Sequence, residues 1–115
     1  MSELALLRID SPKATAMLIR DIPNAMKGAI IDVRSREEYE LAHAGQSINI
    51  PWDIHVYYLE ELEGLPKPWI FVCEEGFRSG WVVLSLKMLG YEEVYNGGRW
   101  FDVDREKKEM LPKAA

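Results

Sequence analysis

The chain carries a single cysteine, Cys73, followed after four residues by Arg78. The apolar run Trp69-Ile70-Phe71-Val72 leads into Cys73, and Glu74-Glu75-Gly76-Phe77 separates it from Arg78-Ser79. A thiol at the carboxyl end of a buried strand, before a glycine-bearing loop and a helix start, meets loop amides and the positive end of a helix dipole. Such a setting can lower a cysteine pKa from about 8.5 into the range of about 3.5 to 7.5, giving thiolate near neutral pH. The cationic Arg78 acts in the same direction. The alternative is a small buried core residue, common for lone cysteines. The loop and Arg78 favour the nucleophile.

Other side chains could support that chemistry. Arg78 either holds an anionic substrate or braces the loop, and as a cation at a helix start it opposes the dipole. Asp32 sits inside an apolar strand, where a carboxylate is costly unless hydrogen-bonded. It either steadies the active loop from below or caps the next helix, so we assign it structural support. Arg34 either faces the pocket or pairs with Glu37 or Glu38. His43 fits a structural hydrogen bond near a turn. His55 lies in the aromatic segment from Trp52 to Tyr58, which could line or cover the pocket, and Phe77 could form its rim. One cysteine and two histidines, without His-x-x-x-His or Cys-x-x-Cys spacing, argue against a metal site.

The elements that must position these residues alternate between strand and helix. Leu6–Ile9 reads as a short strand, with Asp10 or Ser11 as N-cap, Pro12 in the first turn, and Ala14, Met17 and Leu18 at helical spacing. Ala29–Val33 is a continuous apolar strand carrying Asp32. Ser35 with Glu38 three residues later forms a capping box for a helix to about Ala42. Ser47–Ile50 is a short strand stopped by Pro51, and Val56–Leu62 a helix ending at Gly64. Trp69–Cys73 lacks polar alternation, as expected of a strand buried on both faces of a parallel sheet. Ser79–Leu89 is an apolar helix ended by Gly90, followed by a short strand, Glu93–Tyr95. Trp69 and Trp81 are expected in the core, and Trp52 and Trp100 as loop anchors or an exposed patch. Arg105–Ala115 reads as a frayed tail. The expected fold is one α/β domain over residues 1–115, with its core at about 9–103: a central parallel sheet flanked by helices on both faces. Ligands in such sheets sit beyond the strands' carboxyl ends.

Composition narrows the function classes. The 115 residues are 48% hydrophobic and 29% charged, suited to one soluble domain. Fourteen basic against nineteen acidic residues leave a net charge of −5, which argues against nucleic-acid or acidic-membrane partners. A single cysteine excludes an internal disulfide framework. The N-terminal residues show no signal-peptide pattern and no stretch is long enough to span a bilayer, so a cytoplasmic location is expected.

The segment Cys73-Glu74-Glu75-Gly76-Phe77-Arg78-Ser79 resembles the active-site loop of single-domain rhodanese-like sulfurtransferases. Three further segments agree, in order: Asp32-Val33-Arg34 with Glu38-Tyr39; His43 with Ser47-Ile48-Asn49-Ile50-Pro51; and Leu89-Gly90-Tyr91 through Val94-Tyr95 to Gly97-Gly98. The resemblance implies a cycle in which a donor passes its outer sulfur to Cys73. The persulfide, cradled by amides from Glu74 to Ser79, then transfers that sulfur to cyanide, a thiol or a protein acceptor, with no cofactor. A persulfide carrier or partner-binding module with little small-molecule turnover is the second reading, and a fold without catalysis that uses its surface for assembly, disfavoured by Cys73 and Arg78, is the third. A cysteine-dependent phosphatase is the minor alternative, disfavoured because phosphatase loops are one residue longer. Efficient thiosulfate users tend to carry basic residues beside the cysteine, so Glu74-Glu75 implies weak thiosulfate use.

Overall fold

The computed structural model describes residues 15–112. Its centre is a four-stranded, all-parallel sheet of β1 (Ala29–Asp32), β2 (Ile48–Asn49), β3 (Trp69–Cys73) and β4 (Val94–Arg99), in the order β2-β1-β3-β4. Among the described residues, four α-helices surround it: α1 (Arg36–Leu41), α2 (Leu59–Glu63), α3 (Phe77–Met88) and α4 (Trp100–Met110). Single 3-10 segments cover Ile19–Asp21, Ala25–Lys27 and Trp52–Tyr58.

β3 is the centre of the design. All five of its residues are buried, and the pleat divides them between two cores. Trp69, Phe71 and Cys73 join Ile31, Val33, Leu62 and the inward face of α3 (Val82, Val83, Leu86). Ile70 and Val72 join Ile30, Ile19, Ile22 and Val103 of α4 on the opposite face. Apolar cover on both sides explains the unbroken hydrophobic run in β3. Strand order reverses between β1 and β3, so their carboxyl ends, Asp32 and Cys73, border the crevice where such sheets bind ligands.

α1 begins as expected: the Ser35 hydroxyl accepts from Glu38 N–H, and the Glu38 carboxylate accepts from Ser35 N–H. Several other expectations need correction. The strand at Leu6–Ile9 and its helix cap at Asp10 or Ser11, with Pro12 and Ala14, lie outside the described residues. Met17 and Leu18 are not α-helical; Met17 N–H donates to the Asn96 carbonyl, laying this segment along β4. Ile19 and Ile22 then turn into the core. The Trp52–Tyr58 segment is 3-10, and the α-helix starts only at Leu59.

The frayed tail expected from Arg105 is instead helical as far as Met110. Val103 is fully buried and anchors α4 to the sheet. The polar face is laced by Arg105–Asp102, Arg105–Glu109 and Lys108–Asp104 ion pairs. β4 also runs beyond Tyr95 to Arg99, with a bulge: Phe71 pairs with Asn96 and Val72 with Gly98, leaving Gly97 as the extra residue. A Cβ on Gly97 would lie 2.8 Å from Ile70 Cγ2 and 3.1 Å from Val103 Cγ2, so only glycine fits. Trp81, expected in the core, is 48% exposed on the outward face of α3, while Trp69 is buried.

Candidate active site

Cys73 ends β3 with its side chain on the α3 face of the sheet. Gly76 is the N-cap of α3 with φ +94°, a left-handed conformation that strains any residue bearing a Cβ. That turn folds the loop back over the sulfur. Gly76 N–H donates to Cys73 Sγ at 2.9 Å, and Ser79 N–H, in the first turn of α3, does so at 3.4 Å. The Ser79 hydroxyl is 3.2 Å from the same sulfur. A twelve-residue helix thus directs the positive end of its dipole at Sγ. Helix α3 starts at Phe77, two residues earlier than the sequence suggested.

The sulfur lies at the floor of a cavity of about 200 Å³ lined by Cys73, Glu74, Glu75, Phe77 and Arg78. Phe77 stands at the rim, 74% exposed. The site is therefore a buried sulfur met by loop and helix donors and facing a cavity lined by charged side chains.

That mouth is shaped by two ion-pair systems. Arg78 donates to both oxygens of Glu38, at 2.7 and 3.0 Å. This bidentate contact, with smaller help from the Ser35 cap, lowers the Glu38 pKa from 4.5 to about 2. Glu38 in turn raises the pKa of Arg78, with a lesser contribution from the field of Cys73. Arg78 thus both lines the cavity and ties α3 to the N-terminus of α1.

Arg34 takes neither of its expected positions. It is buried behind the loop and pairs with Asp32, donating from Nε to Oδ1 at 3.0 Å and from Nη2 to Oδ2 at 2.8 Å. Nη2 also donates to the Ala42 carbonyl, and Nη1 lies 3.5 Å from Glu74. Asp32 satisfies its buried carboxylate through this arginine, so it supports the loop indirectly: Asp32 holds Arg34, and Arg34 holds Glu74. Trp100 completes the brace, with Arg34 over its ring at 4.9 Å and its Nε1–H donating to Glu74.

Neither histidine lines the cavity. His43 stacks on Tyr39 at 3.8 Å, with Nδ1 2.7 Å from the Tyr39 carbonyl. His55 joins the Trp52–Tyr58 segment to α3 through Ser85 Oγ at 3.0 Å, so that segment is a strut rather than a lid. Among the described residues, no group of three or more His, Cys, Asp or Glu side chains is placed to hold a metal. No helix among them is long and apolar enough to cross a membrane.

Sequence reasoning missed Asn96. It is buried in β4, its Nδ2 donates to the Gly76 carbonyl at 3.0 Å, and its Oδ1 accepts from Ser79 Oγ at 2.7 Å and Gly98 N–H at 2.9 Å. A polar residue between Tyr95 and the glycine pair was the available signal, since an asparagine in a buried strand must bond to something.

Comparison with known proteins places these features in a family. Residues 14–98 match the rhodanese-like domain. The thiosulfate sulfurtransferase GlpE of Vibrio cholerae is 28% identical over 78% of this chain and 79% of its own length. The thiosulfate:glutathione sulfurtransferase of Saccharomyces cerevisiae is 38% identical, but the match spans only 44% of this chain and 45% of that enzyme. Among solved structures, a rhodanese-related protein from Thermoplasma volcanium superposes with a TM-score of 0.61 at 25% identity, covering 84% of this chain and 94% of its own.

Proposed function

We propose, from the premise that the chain belongs to the rhodanese-like domain family, that it moves a sulfane sulfur from a donor to a nucleophilic acceptor through a persulfide on Cys73. Sulfurtransferase activity in general is supported by the family and by relatives with that name. The observation that carries the finer reading is the pair of backbone N–H groups, Gly76 and Ser79, aimed at a buried sulfur on the cavity floor. Such fixed donors stabilise negative charge on the sulfur without reorganising.

The first half-reaction begins with a Cys73 thiolate. Its electron pair attacks the donor's transferable sulfur, a bond forms from Sγ to that sulfur, and the bond that held it breaks. That bond is S–S in thiosulfate or a persulfide and C–S in 3-mercaptopyruvate, where the pair leaves as the enolate of pyruvate and is protonated. The electron pair of that bond leaves on the donor remnant, sulfite in the case of thiosulfate. In the second half, cyanide or a thiolate attacks the terminal sulfur, and Sγ departs as thiolate with the pair of the S–S bond. No net oxidant or reductant is consumed. The acceptor must come from outside, because the chain has no second cysteine to form an internal disulfide.

The charge at the mouth bears on the donor. Arg78 is held by Glu38, and Arg34 is held by Asp32 and faces Glu74. Glu75 adds a further carboxylate to the lining. Of these, Arg34 and Asp32 are buried, so at the mouth itself one arginine, Arg78, is outnumbered by Glu38, Glu74 and Glu75, which disfavours a dianionic donor such as thiosulfate. The same acidic mouth, beside the exposed Phe77, favours the second reading of a carrier fed by a partner with a basic surface.

Thiocyanate formation from cyanide tests the reading, with thiosulfate, 3-mercaptopyruvate and glutathione persulfide as donors. Turnover by wild type and none by Cys73→Ser supports the enzyme, with thiosulfate the poorest donor. No turnover with any donor, but transfer from a persulfidated protein, leaves the carrier. Turnover that survives Cys73→Ser refutes both.

A further inference from the structure

The buried cluster beneath Cys73 contains one proton with two possible destinations. The Ser79 hydroxyl lies 2.7 Å from Asn96 Oδ1 and 3.2 Å from Cys73 Sγ. It can donate to only one of them in full. The orientation of the Asn96 amide is fixed by its other contacts: Nδ2 donates to the Gly76 carbonyl, and Oδ1 accepts from Gly98 N–H. Turning the amide over would set two donors against each other at Gly98. Oδ1 is therefore a permanent acceptor beside the hydroxyl.

The bulge in β4 puts it there. Gly97 is the extra residue, at a spot with no space for a Cβ. Bulges re-aim side chains, often next to active sites. Here the bulge allows Gly98 N–H to return to Asn96 Oδ1 across two residues. Because Gly98 keeps that oxygen hydrogen-bonded, the oxygen can release the Ser79 proton without being left bare in the core.

We propose that Asn96 is a positioning residue for Cys73. It pins Gly76 in its left-handed turn and acts as resting acceptor for the Ser79 hydroxyl, which rotates onto Sγ whenever that sulfur carries negative charge. With the thiol protonated, the chain runs from S–H to Ser79 Oγ and from Ser79 O–H to Asn96 Oδ1. When the proton leaves to solvent, the hydroxyl turns to the thiolate. Once Sγ has bonded to the incoming sulfur, it is divalent and uncharged, and the hydroxyl returns to Asn96. Discharge to the acceptor restores the thiolate and the rotation with it. Only this last part rests on the sulfur-transfer reading.

The test therefore uses no sulfur donor. In the full chain with 13C-labelled asparagine, the Asn96 side-chain carbonyl resonance is followed against pH, beside the rate of Cys73 alkylation by iodoacetamide. The expected result is a resonance shift with the same midpoint as the alkylation profile, absent in Cys73→Ser and in Ser79→Ala. A resonance that stays flat through the alkylation midpoint overturns the proposal, since a static scaffold would behave that way. Asn96→Ser releases Gly76, whose N–H lies closest to Sγ, and that loss should outweigh the freed Ser79 hydroxyl, so the variant should alkylate roughly tenfold more slowly at neutral pH with its profile shifted to higher pH. An unchanged profile in a folded Asn96→Ser also overturns it. If that variant does not fold, the wild-type titration decides alone. Failure of sulfur transfer leaves this result intact, and failure here leaves persulfide formation on Cys73 open to its own test.

Discussion

The floor and the rim of the cavity are built on opposite principles. The floor consists of Cys73, Gly76, Ser79 and Asn96, linked by uncharged hydrogen bonds and joined to β3 and β4. The rim consists of Glu38, Glu74, Glu75, Phe77 and Arg78, charged or exposed and held by ion pairs between loop and helix ends. Fixed dipoles suit a site where charge must appear and vanish on one atom, because they need not rearrange. Solvent-facing charges act over longer range and are screened by salt, which suits selection of what approaches. On this division, the floor governs how reactive the sulfur is and the rim governs which molecules reach it.

Substitutions can break that division, starting with the floor. Cys73→Ser should lower turnover by roughly 10³-fold or more with every donor, as loss of a nucleophile does. Ser79→Ala removes the hydroxyl near Sγ and should slow both alkylation and turnover by about tenfold, with thermal stability little changed. Gly76→Ala forces a Cβ into φ +94° and should cost about 1 kcal/mol of stability in denaturant titration. It should also slow alkylation, because the N–H closest to Sγ moves. A floor change that altered donor preference but not alkylation would show that floor and rim do not act separately.

The rim should answer more weakly and more selectively. Glu75→Gln should raise kcat/KM for thiosulfate by about fivefold at low salt, with little change at ~1 M salt or with an uncharged donor. Glu38→Gln keeps a side chain able to complete the capping box but loses the ion pair to Arg78. The Glu38 pKa is depressed in the fold, so its carboxylate contributes stability above the unfolded value near 4.5 and loses it as pH falls toward about 2. Wild type should exceed Glu38→Gln by under about 1 kcal/mol at neutral pH, a partly exposed pair being screened, and the gap should close across that acidic window.

Much of the fold was legible because its central signals are local. The unbroken Trp69–Cys73 run, the Ser35–Glu38 box and the glycine after the cysteine each follow from nearest-neighbour physics. The features that escaped depend on long-range contact. Helix α4 has a strongly polar sequence and is held largely by Val103 and Trp100 docking on the far face of the sheet. Trp81 looked like core because α3 is apolar on nearly every side, so composition could not tell which side faced the sheet. Arg34 is the exception: the sequence leaves it facing the pocket or pairing with Glu37 or Glu38, whereas it pairs with Asp32, only two residues back at the end of β1. Asn96 gained meaning only when β4 aligned beside β3. Phe77 and Arg78 line the cavity, but the bidentate hold of Glu38 on Arg78 spans 40 residues and left no local mark.

The central claim is that Cys73 carries the sulfur in transit. Intact-mass measurement after incubation with thiosulfate, 3-mercaptopyruvate or glutathione persulfide tests it most directly. The expected result is a gain of one sulfur atom in wild type, removed by cyanide or a thiol and absent in Cys73→Ser. A sulfur adduct that persists in Cys73→Ser would contradict it. So would an unloaded Cys73 that also resists alkylation at neutral pH.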